Sequence, residues 1–180
     1  MKLHNKKKVS FLISGGGSNL LKILKNNSIN RDFEVVTIIS NNKISTNIKS
    51  FVNKFYKNVL VMELKKKLQK KNFFDTNTIF SVGYMKVIEK SIVENFDVVN
   101  LHPSILPAYK GLMTQKRMLI NNEKNYGFTI HKVSIGLDEG VTISKKIRKI
   151  NTKDETELLY KHKSLEHKFV YKQFVDYLLD

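Results

Sequence analysis

Short apolar runs alternate with amphipathic segments along nearly the whole chain, and this alternation strongly restricts the possible folds. Seven runs have the length and composition of strands, at residues 8–14, 33–40, 57–62, 78–84, 97–102, 126–135 and 140–150. Six segments read as helices, at residues 18–27, 44–55, 63–71, 85–96, 112–122 and 154–179. This order predicts an α/β, Rossmann-like fold with a mostly parallel twisted sheet flanked by helices. The shorter links between the last strands allow those strands to run antiparallel.

Length and composition predict one domain over residues 1–180, with no internal repeat or linker. The chain has no cysteine, which excludes disulfides and thiolate metal sites and fits a reducing compartment. Neither a signal peptide nor an apolar run of the roughly 20 residues that span a bilayer is visible. We therefore expect a cytoplasmic monomer or homodimer that needs no metal and contacts no membrane.

The net charge of +16 is a weak indication of a nucleic-acid partner. Lysine supplies 29 of the 32 basic residues, and alanine occurs once, at Ala108. Lysine, asparagine and isoleucine have AT-rich codons, so a biased genome explains the composition more simply than selection for a polyanion. We expect a solvated, lysine-rich surface and no nucleic-acid partner.

Three glycines, at 15–17, stand between the first predicted strand and the first predicted helix. Bare backbone N–H groups at a helix N-terminus attract phosphate, and Ser18 and Asn19 can add side-chain donors. The dinucleotide pattern fits only in part, because Leu20 takes the third glycine position and no acid ends the second strand. The Walker pattern fails as well. The loop thus predicts either a phosphate-bearing ligand other than a dinucleotide or a tight turn without a ligand.

A second cluster of polar residues lies where the fifth predicted strand ends, in "NLHPSILP". Asn100 and His102 are two residues apart, so in extended chain their side chains share a face, and Pro103 favours that conformation. An imidazole can move a proton or donate to an oxyanion, and an amide can donate in the same way. Asp138, in "GLDEG", is the candidate to orient or charge His102. A structural histidine and a turn aspartate remain the alternative.

Three motifs together resemble one family, the phosphoribosylglycinamide formyltransferases. They are Ser-Gly-Gly-Gly-Ser-Asn-Leu after the first strand, Asn-Leu-His-Pro-Ser-Ile-Leu-Pro, and Leu-Asp-Glu-Gly. The resemblance covers nearly the whole chain, in order and at compatible spacing. The His-Pro-Ser element with its downstream Asp is typical of folate-dependent formyltransferases in general. The glycine loop with Ser18 and Asn19 is the more specific part.

The resemblance implies a reaction of de novo purine biosynthesis. A formyl group would pass from 10-formyltetrahydrofolate to the primary amine of glycinamide ribonucleotide. Attack of the amine on the formyl carbon gives a tetrahedral oxyanion, which Asn100 and protonated His102 would stabilise. Asp138 would favour the protonated form of His102 and help to move protons. These three residues are the predicted catalytic set.

The resemblance also implies two sets of binding residues. The substrate set is Gly16, Gly17, Ser18, Asn19, Pro103 and Glu166. The folate set is Met85, Lys86, Val87, Ile88, Ile135, Gly136 and Leu137. The alternative for the apolar residues of 85–88 is ordinary core.

Several positions depart from the family pattern. Met113 stands where histidine is usual, Glu139 where glycine is usual, Lys110 where proline is usual and Lys86 where arginine is common. An arginine that commonly contacts the folate tail has no clear counterpart in 57–76. These departures bear on folate affinity more than on the chemistry.

Two other interpretations stay open. The acceptor could be another amine, on a sugar nucleotide or on methionyl-tRNA, although the tRNA enzymes carry a further C-terminal domain and lack this glycine loop. The chain could also be a degenerate relative that binds folate or phosphate without turnover. The presence of Asn100, His102 and Asp138 argues against the degenerate relative.

Overall fold

The computed structural model describes residues 6–180. Its elements are β1 Lys8–Ile13, α1 Ser18–Asn30, β2 Glu34–Ser40, α2 Thr46–Phe55, β3 Leu60–Glu63, a 3-10 helix Lys70–Phe73, β4 Thr78–Ser81, α3 Lys90–Val93, β5 Asp97–His102, α4 Thr114–Ile120, β6 Asn125–Lys132, β7 Thr142–Lys149 and α5 Glu155–Leu179. Among the described helices, none is both long enough and apolar enough to cross a bilayer.

The strands form one seven-stranded sheet in the order β3-β2-β1-β4-β5-β6-β7. The pairs β1–β2, β1–β4 and β2–β3 are parallel, whereas β6 and β7 are antiparallel. The predicted α/β fold with a mostly parallel sheet and antiparallel late strands is therefore confirmed.

The described residues group into two compact units. The first unit extends to Val99 and includes Leu179, and the second begins at Asn100. The predicted single domain over 1–180 stays a prediction.

The first unit has its core on the central strands. Most side chains of β1, β2 and β4 are fully buried, as expected for parallel strands covered on both faces. The Phe11 ring lies 6.1 Å from that of Phe33 and 6.2 Å from that of Phe80, measured between centroids. Leu20 and Ile23 of α1 are completely buried, which fixes the helix that follows the glycine loop.

The second unit has its core between β6 and the long helix α5. Phe128 and Ile130 of β6 are completely buried, as are Leu158, Val170 and Phe174 of α5. Asp154 caps α5 by accepting a hydrogen bond from the backbone N–H of Glu157 at 2.7 Å. Asp154 thus satisfies one of the free backbone N–H groups in the first turn of the helix.

Two predicted helices are wrong. The segment 63–71 has no helix apart from the start of the 3-10 turn, because Leu68 is its one buried apolar side chain and no apolar stripe exists to pack. The segment 85–96 contains only the short helix Lys90–Val93. Met85 and Val87 are exposed, so the apolar residues of this segment do not line one face.

Several element ends also differ from prediction. Helix α1 extends three residues beyond its predicted end, to Asn30, and Gly17 caps its start in a left-handed conformation. Strands β4 and β6 end at Ser81 and Lys132, three residues earlier than predicted.

Candidate active site

The glycine loop of the first unit combines two backbone demands that require glycine. Gly15 has φ 104° and Gly17 has φ 57°, a region that side chains with a Cβ disfavour. A Cβ at Gly17 would also clash with Cδ1 of Ile48. Beside Gly15 and Gly16, by contrast, a Cβ would meet no heavy atom within 4 Å. The loop is therefore tight on the Gly17 side and open at Gly15 and Gly16.

Hydrogen bonds hold this loop in place. The N–H of Gly15 donates to Ser40 Oγ at 3.3 Å, and Ser45 Oγ donates to the carbonyl of Gly16 at 3.4 Å. The N–H of Met85 donates to Ser14 Oγ at 2.7 Å. Ser18 and the buried Asn19 then begin α1, whose 13 residues direct a positive dipole end at the loop. The loop thus leaves open backbone at the positive end of a helix, where an anion can be received.

The segment 85–88 of the first unit presents its apolar residues to solvent. Met85 is 60% exposed and Val87 is 81% exposed, so the alternative that these residues are ordinary core is wrong. Ile88 is half-buried, and Lys86 Nζ donates to the carbonyl of Lys65 at 3.0 Å. The segment is accessible to an apolar ligand.

In the second unit, His102 lies between two acceptors. It ends β5 and is buried. Its Nδ1 is 3.3 Å from Asp138 Oδ2, and its Nε2 is 2.9 Å from the carbonyl oxygen of Tyr109. A neutral imidazole can donate to only one of these oxygens, whereas an imidazolium donates to both. Each ring nitrogen of His102 therefore has an oxygen acceptor nearby.

The Asp138 carboxylate is held by a backbone donor. Its Oδ2 accepts from the N–H of Gly111 at 2.8 Å, and its Oδ1 lies near the His131 ring, 3.6 Å from Nε2. Asp138 has φ 52°, and its side chain is 11% exposed. The carboxylate is thus fixed in place next to His102.

Sequence reasoning missed His131, which belongs to the same cluster. It is 1% exposed, and its Nδ1–H donates to the carbonyl of Lys132 at 2.8 Å. Its Nε2 accepts from Nδ2 of Asn100 at 3.1 Å. Burial lowers the pKa of His131, which agrees with the neutral tautomer that these partners require. A polar residue near the end of the predicted strand 126–135 was the signal that could have found it.

These contacts bring the three predicted catalytic residues and His131 into one cluster. The rings of His102 and His131 meet edge to face, with centroids 6.3 Å apart. The Asn100 amide has two N–H hydrogens, and the bond to His131 uses one. An imidazole and an amide donor therefore stand two residues apart at one strand end, an arrangement able to stabilise an oxyanion.

The remaining predicted residues of the second unit lie on its surface and on α5. Ile135 and Leu137 are 71% and 61% exposed, Gly136 lies between them, and Pro103 follows His102 half-buried. The Glu166 side chain is 2% exposed and pairs with Lys163 Nζ at 2.8 Å. One turn earlier, Nε2–H of buried His162 donates to the carbonyl of Gly127 at 2.7 Å.

Within residues 6–180, no three His, Asp or Glu side chains are grouped so as to hold a metal ion.

Comparisons with known proteins place this geometry in context. Residues 7–174 match the family model described as "Formyl transferase". The chain is 29% identical over 152 residues to phosphoribosylglycinamide formyltransferase of Haemophilus influenzae, covering 76% of this chain and 70% of that protein. It is 32% identical over 171 residues to the trifunctional purine biosynthetic protein adenosine-3 of Chironomus tentans, covering 86% of this chain.

A solved structure of this kind of enzyme has the same fold as the chain. Phosphoribosylglycinamide formyltransferase from Campylobacter jejuni superposes with a TM-score of 0.80 at 27% identity, over 94% of this chain and 96% of that one. The chain spans only 12% of the length of the Chironomus protein. Because the family match covers nearly all of the described residues, this chain belongs to the formyl transferase family.

Proposed function

We propose that the chain transfers a formyl group from 10-formyltetrahydrofolate to the primary amine of glycinamide ribonucleotide, in purine biosynthesis. The observation that carries the proposal is the buried His102, held between Asp138 and the Tyr109 carbonyl beside the Asn100 amide. Membership of the formyl transferase family supports it, as do the names of the Haemophilus and Campylobacter relatives.

The proposed chemistry needs two donors and a proton path. The amine nitrogen attacks the formyl carbon, a C–N bond forms, and the carbonyl oxygen becomes an oxyanion. We expect His102 Nε2–H to exchange the Tyr109 carbonyl for that oxygen, and the second N–H of the Asn100 amide to donate beside it. Collapse of the intermediate breaks the bond to the folate nitrogen, which takes up the proton that the amine loses. Removal of one such donor typically costs ~10²–10³ in rate.

We assign the phosphate of the acceptor to the glycine loop. Gly16, Gly17, Ser18 and Asn19 supply backbone and side-chain groups beside an open face, at the start of a helix. The buried Glu166 carboxylate is proposed to accept from a sugar hydroxyl, and Pro103 holds His102 in extended chain.

We assign the folate to exposed apolar residues. In the first unit these are Met85, Val87 and Ile88, with Lys86 beside them as a cation for an anionic tail. In the second unit the proposed wall is formed by Ile135, Gly136 and Leu137. Both substrates are small molecules, and cytoplasmic location, one catalytic domain and a monomeric or homodimeric state remain part of this proposal.

An acceptor panel tests the proposed substrate. The purified chain receives 10-formyl-5,8-dideazafolate, and release of the deformylated folate is followed by absorbance with glycinamide ribonucleotide, an amino-sugar nucleotide or methionyl-tRNA. We expect turnover with glycinamide ribonucleotide and at least ~10²-fold lower kcat/KM with the other two, which lack the matching phosphate and sugar. Faster turnover with either of the others overturns the assigned acceptor. Folate binding without turnover on any acceptor overturns the enzymatic proposal.

A further inference from the structure

Three consecutive residues of the loop that follows β5 each hold a different group of the candidate site. The Tyr109 carbonyl accepts from His102 Nε2 at 2.9 Å. Lys110 Nζ forms an ion pair with Glu139 Oε1 at 2.8 Å. The N–H of Gly111 donates to Asp138 Oδ2 at 2.8 Å. The middle contact is the one whose groups take no part in the proposed chemistry.

The other side of this loop is already anchored. Arg117 Nη1 donates to the carbonyl of Lys110 at 2.6 Å and to that of Leu112 at 3.3 Å. The Arg117 guanidinium also lies 5.3 Å from the centre of the Tyr109 ring. Helix α4 therefore fixes loop 109–112, and the Lys110 side chain joins this fixed loop to Glu139.

Glu139 is well placed to receive that contact. It directly follows Asp138, and its side chain folds back over Gly136, where a Cβ would clash with it. Asp138 has a positive φ, which is uncommon for residues other than glycine. Outside contacts help such a loop to keep its carboxylate in register.

We propose that Lys110 and Glu139 are positioning residues for the transfer reaction. Their ion pair ties loop 135–140 to loop 109–111 and thereby keeps the Asp138 carboxylate on the Gly111 N–H and on His102. This inference rests on the proposed function for its catalytic consequence, although its structural part does not need that function.

The expected effect is local. The Lys110 and Glu139 side chains are 36% and 56% exposed, and exposed ion pairs contribute little to global stability. Loss of the pair should therefore leave the unfolding transition nearly unchanged. It should loosen the Gly111–Asp138 hydrogen bond and lower kcat/KM by about 2- to 5-fold at low salt, the range that exposed pairs support.

The test uses four variants of the full chain: K110Q, E139Q, the double variant K110Q/E139Q and the charge swap K110E/E139K. The matched control is E94Q, which removes the comparable Lys90–Glu94 ion pair of 3.4 Å at the end of α3. Hydrogen exchange of the Gly111 amide, measured by NMR, reads the structure without any substrate. kcat/KM for formyl transfer to glycinamide ribonucleotide reads the reaction.

We expect both single variants to speed Gly111 exchange and to lower kcat/KM, the double variant to cost no more than either single one, and the swap to restore both. E94Q should change neither. Additive losses in the double variant, or a swap that restores nothing, overturn the proposal. If the exchange pattern holds but the wild-type chain transfers no formyl group, the proposed function fails and the positioning contact stands. If the wild type transfers the group and Gly111 exchange is the same in all variants, the positioning role fails alone.

Discussion

The three buried histidines of the second unit differ in their hydrogen-bond partners. His131 and His162 each have one nitrogen on a carbonyl oxygen and the other on an amide N–H, from Asn100 and Gln115, so both rings are neutral. Burial lowers the pKa of both. His102 faces two oxygens, one of them a carboxylate. The same residue type is thus a structural group at two positions and a candidate proton donor at the third.

The lowered pKa of His162 predicts how the stability of the chain depends on pH. Because its pKa is lowered in the folded chain, the unfolded chain binds more protons, and the free energy of unfolding must fall as the pH drops through the ordinary histidine value of about 6.5. In His162→Gln, the amide can donate to Gly127 and accept from Gln115 but cannot titrate. We expect the variant to lose less stability than the wild type between about pH 8 and about pH 5.

Urea unfolding at several pH values and constant ionic strength, monitored by circular dichroism, measures this pH dependence. The matched control is Lys116→Gln, an exposed substitution in the same unit that should keep the wild-type slope of stability against pH. Equal slopes for wild type and His162→Gln would show that His162 does not titrate as its burial requires.

Elements that leave a local pattern in the sequence were predictable, and contacts between loops were not. The buried strands β1, β2 and β4 could be predicted from short apolar runs, and the glycine loop from its position after β1. The contact between Asp138 and His102 joins residues about 36 positions apart, and no periodic pattern encodes it. The sequence offered Asp138 only as a candidate partner, with a turn aspartate as the alternative, and the resemblance favoured the pairing. Lys110 and Glu139 were each visible as departures from the family pattern, but their ion pair was not.

The failed helices have the same explanation. The lysine run at 65–71 has helix-forming composition, yet propensity without an apolar face gives a short segment little stability. Met85 and Val87 have the apolar character of helix residues that pack on a core, although they face solvent. Exposed apolar residues of this kind are where reasoning from sequence fails, and they lie at the candidate folate wall.

The glycine loop makes an element-scale prediction in two matched variants. Gly17→Ala places a methyl group against Ile48 in a left-handed backbone, so we expect it to lower the unfolding free energy by about 1–3 kcal/mol. Gly16→Ala places the methyl in open space at a residue without positive φ, and should leave stability nearly unchanged. Because that space is the proposed phosphate position, Gly16→Ala should instead raise KM for glycinamide ribonucleotide.

Chemical denaturation and steady-state kinetics on both variants separate the two effects. A Gly16→Ala variant with unchanged KM would argue against phosphate binding at this loop. A Gly17→Ala variant as stable as the wild type would contradict the expected clash between a methyl group at this position and Ile48.

At the scale of the whole molecule, the relevant property is the net charge, which follows directly from the composition. The net charge of +16 attracts the anionic phosphate and the anionic folate tail of the proposed substrates at long range. We therefore expect kcat/KM to fall several-fold when ionic strength rises from about 50 mM to about 500 mM, where the Debye length is short. The measurement is initial rate at low substrate, with kcat at saturation as the control. A kcat/KM that does not change with ionic strength would show that the lysines form only a solvated surface.

The most direct test of the central claim follows the formyl carbon itself. Folate carrying a ¹³C-formyl group is mixed with glycinamide ribonucleotide and either wild type, His102→Asn or the remote control Asp176→Asn, and the labelled product is quantified by mass spectrometry. We expect labelled formylglycinamide ribonucleotide from wild type and control, and at least ~10²-fold slower labelling with His102→Asn. Equal labelling by a folded His102→Asn chain would contradict the assignment of His102 as the group that stabilises the oxyanion.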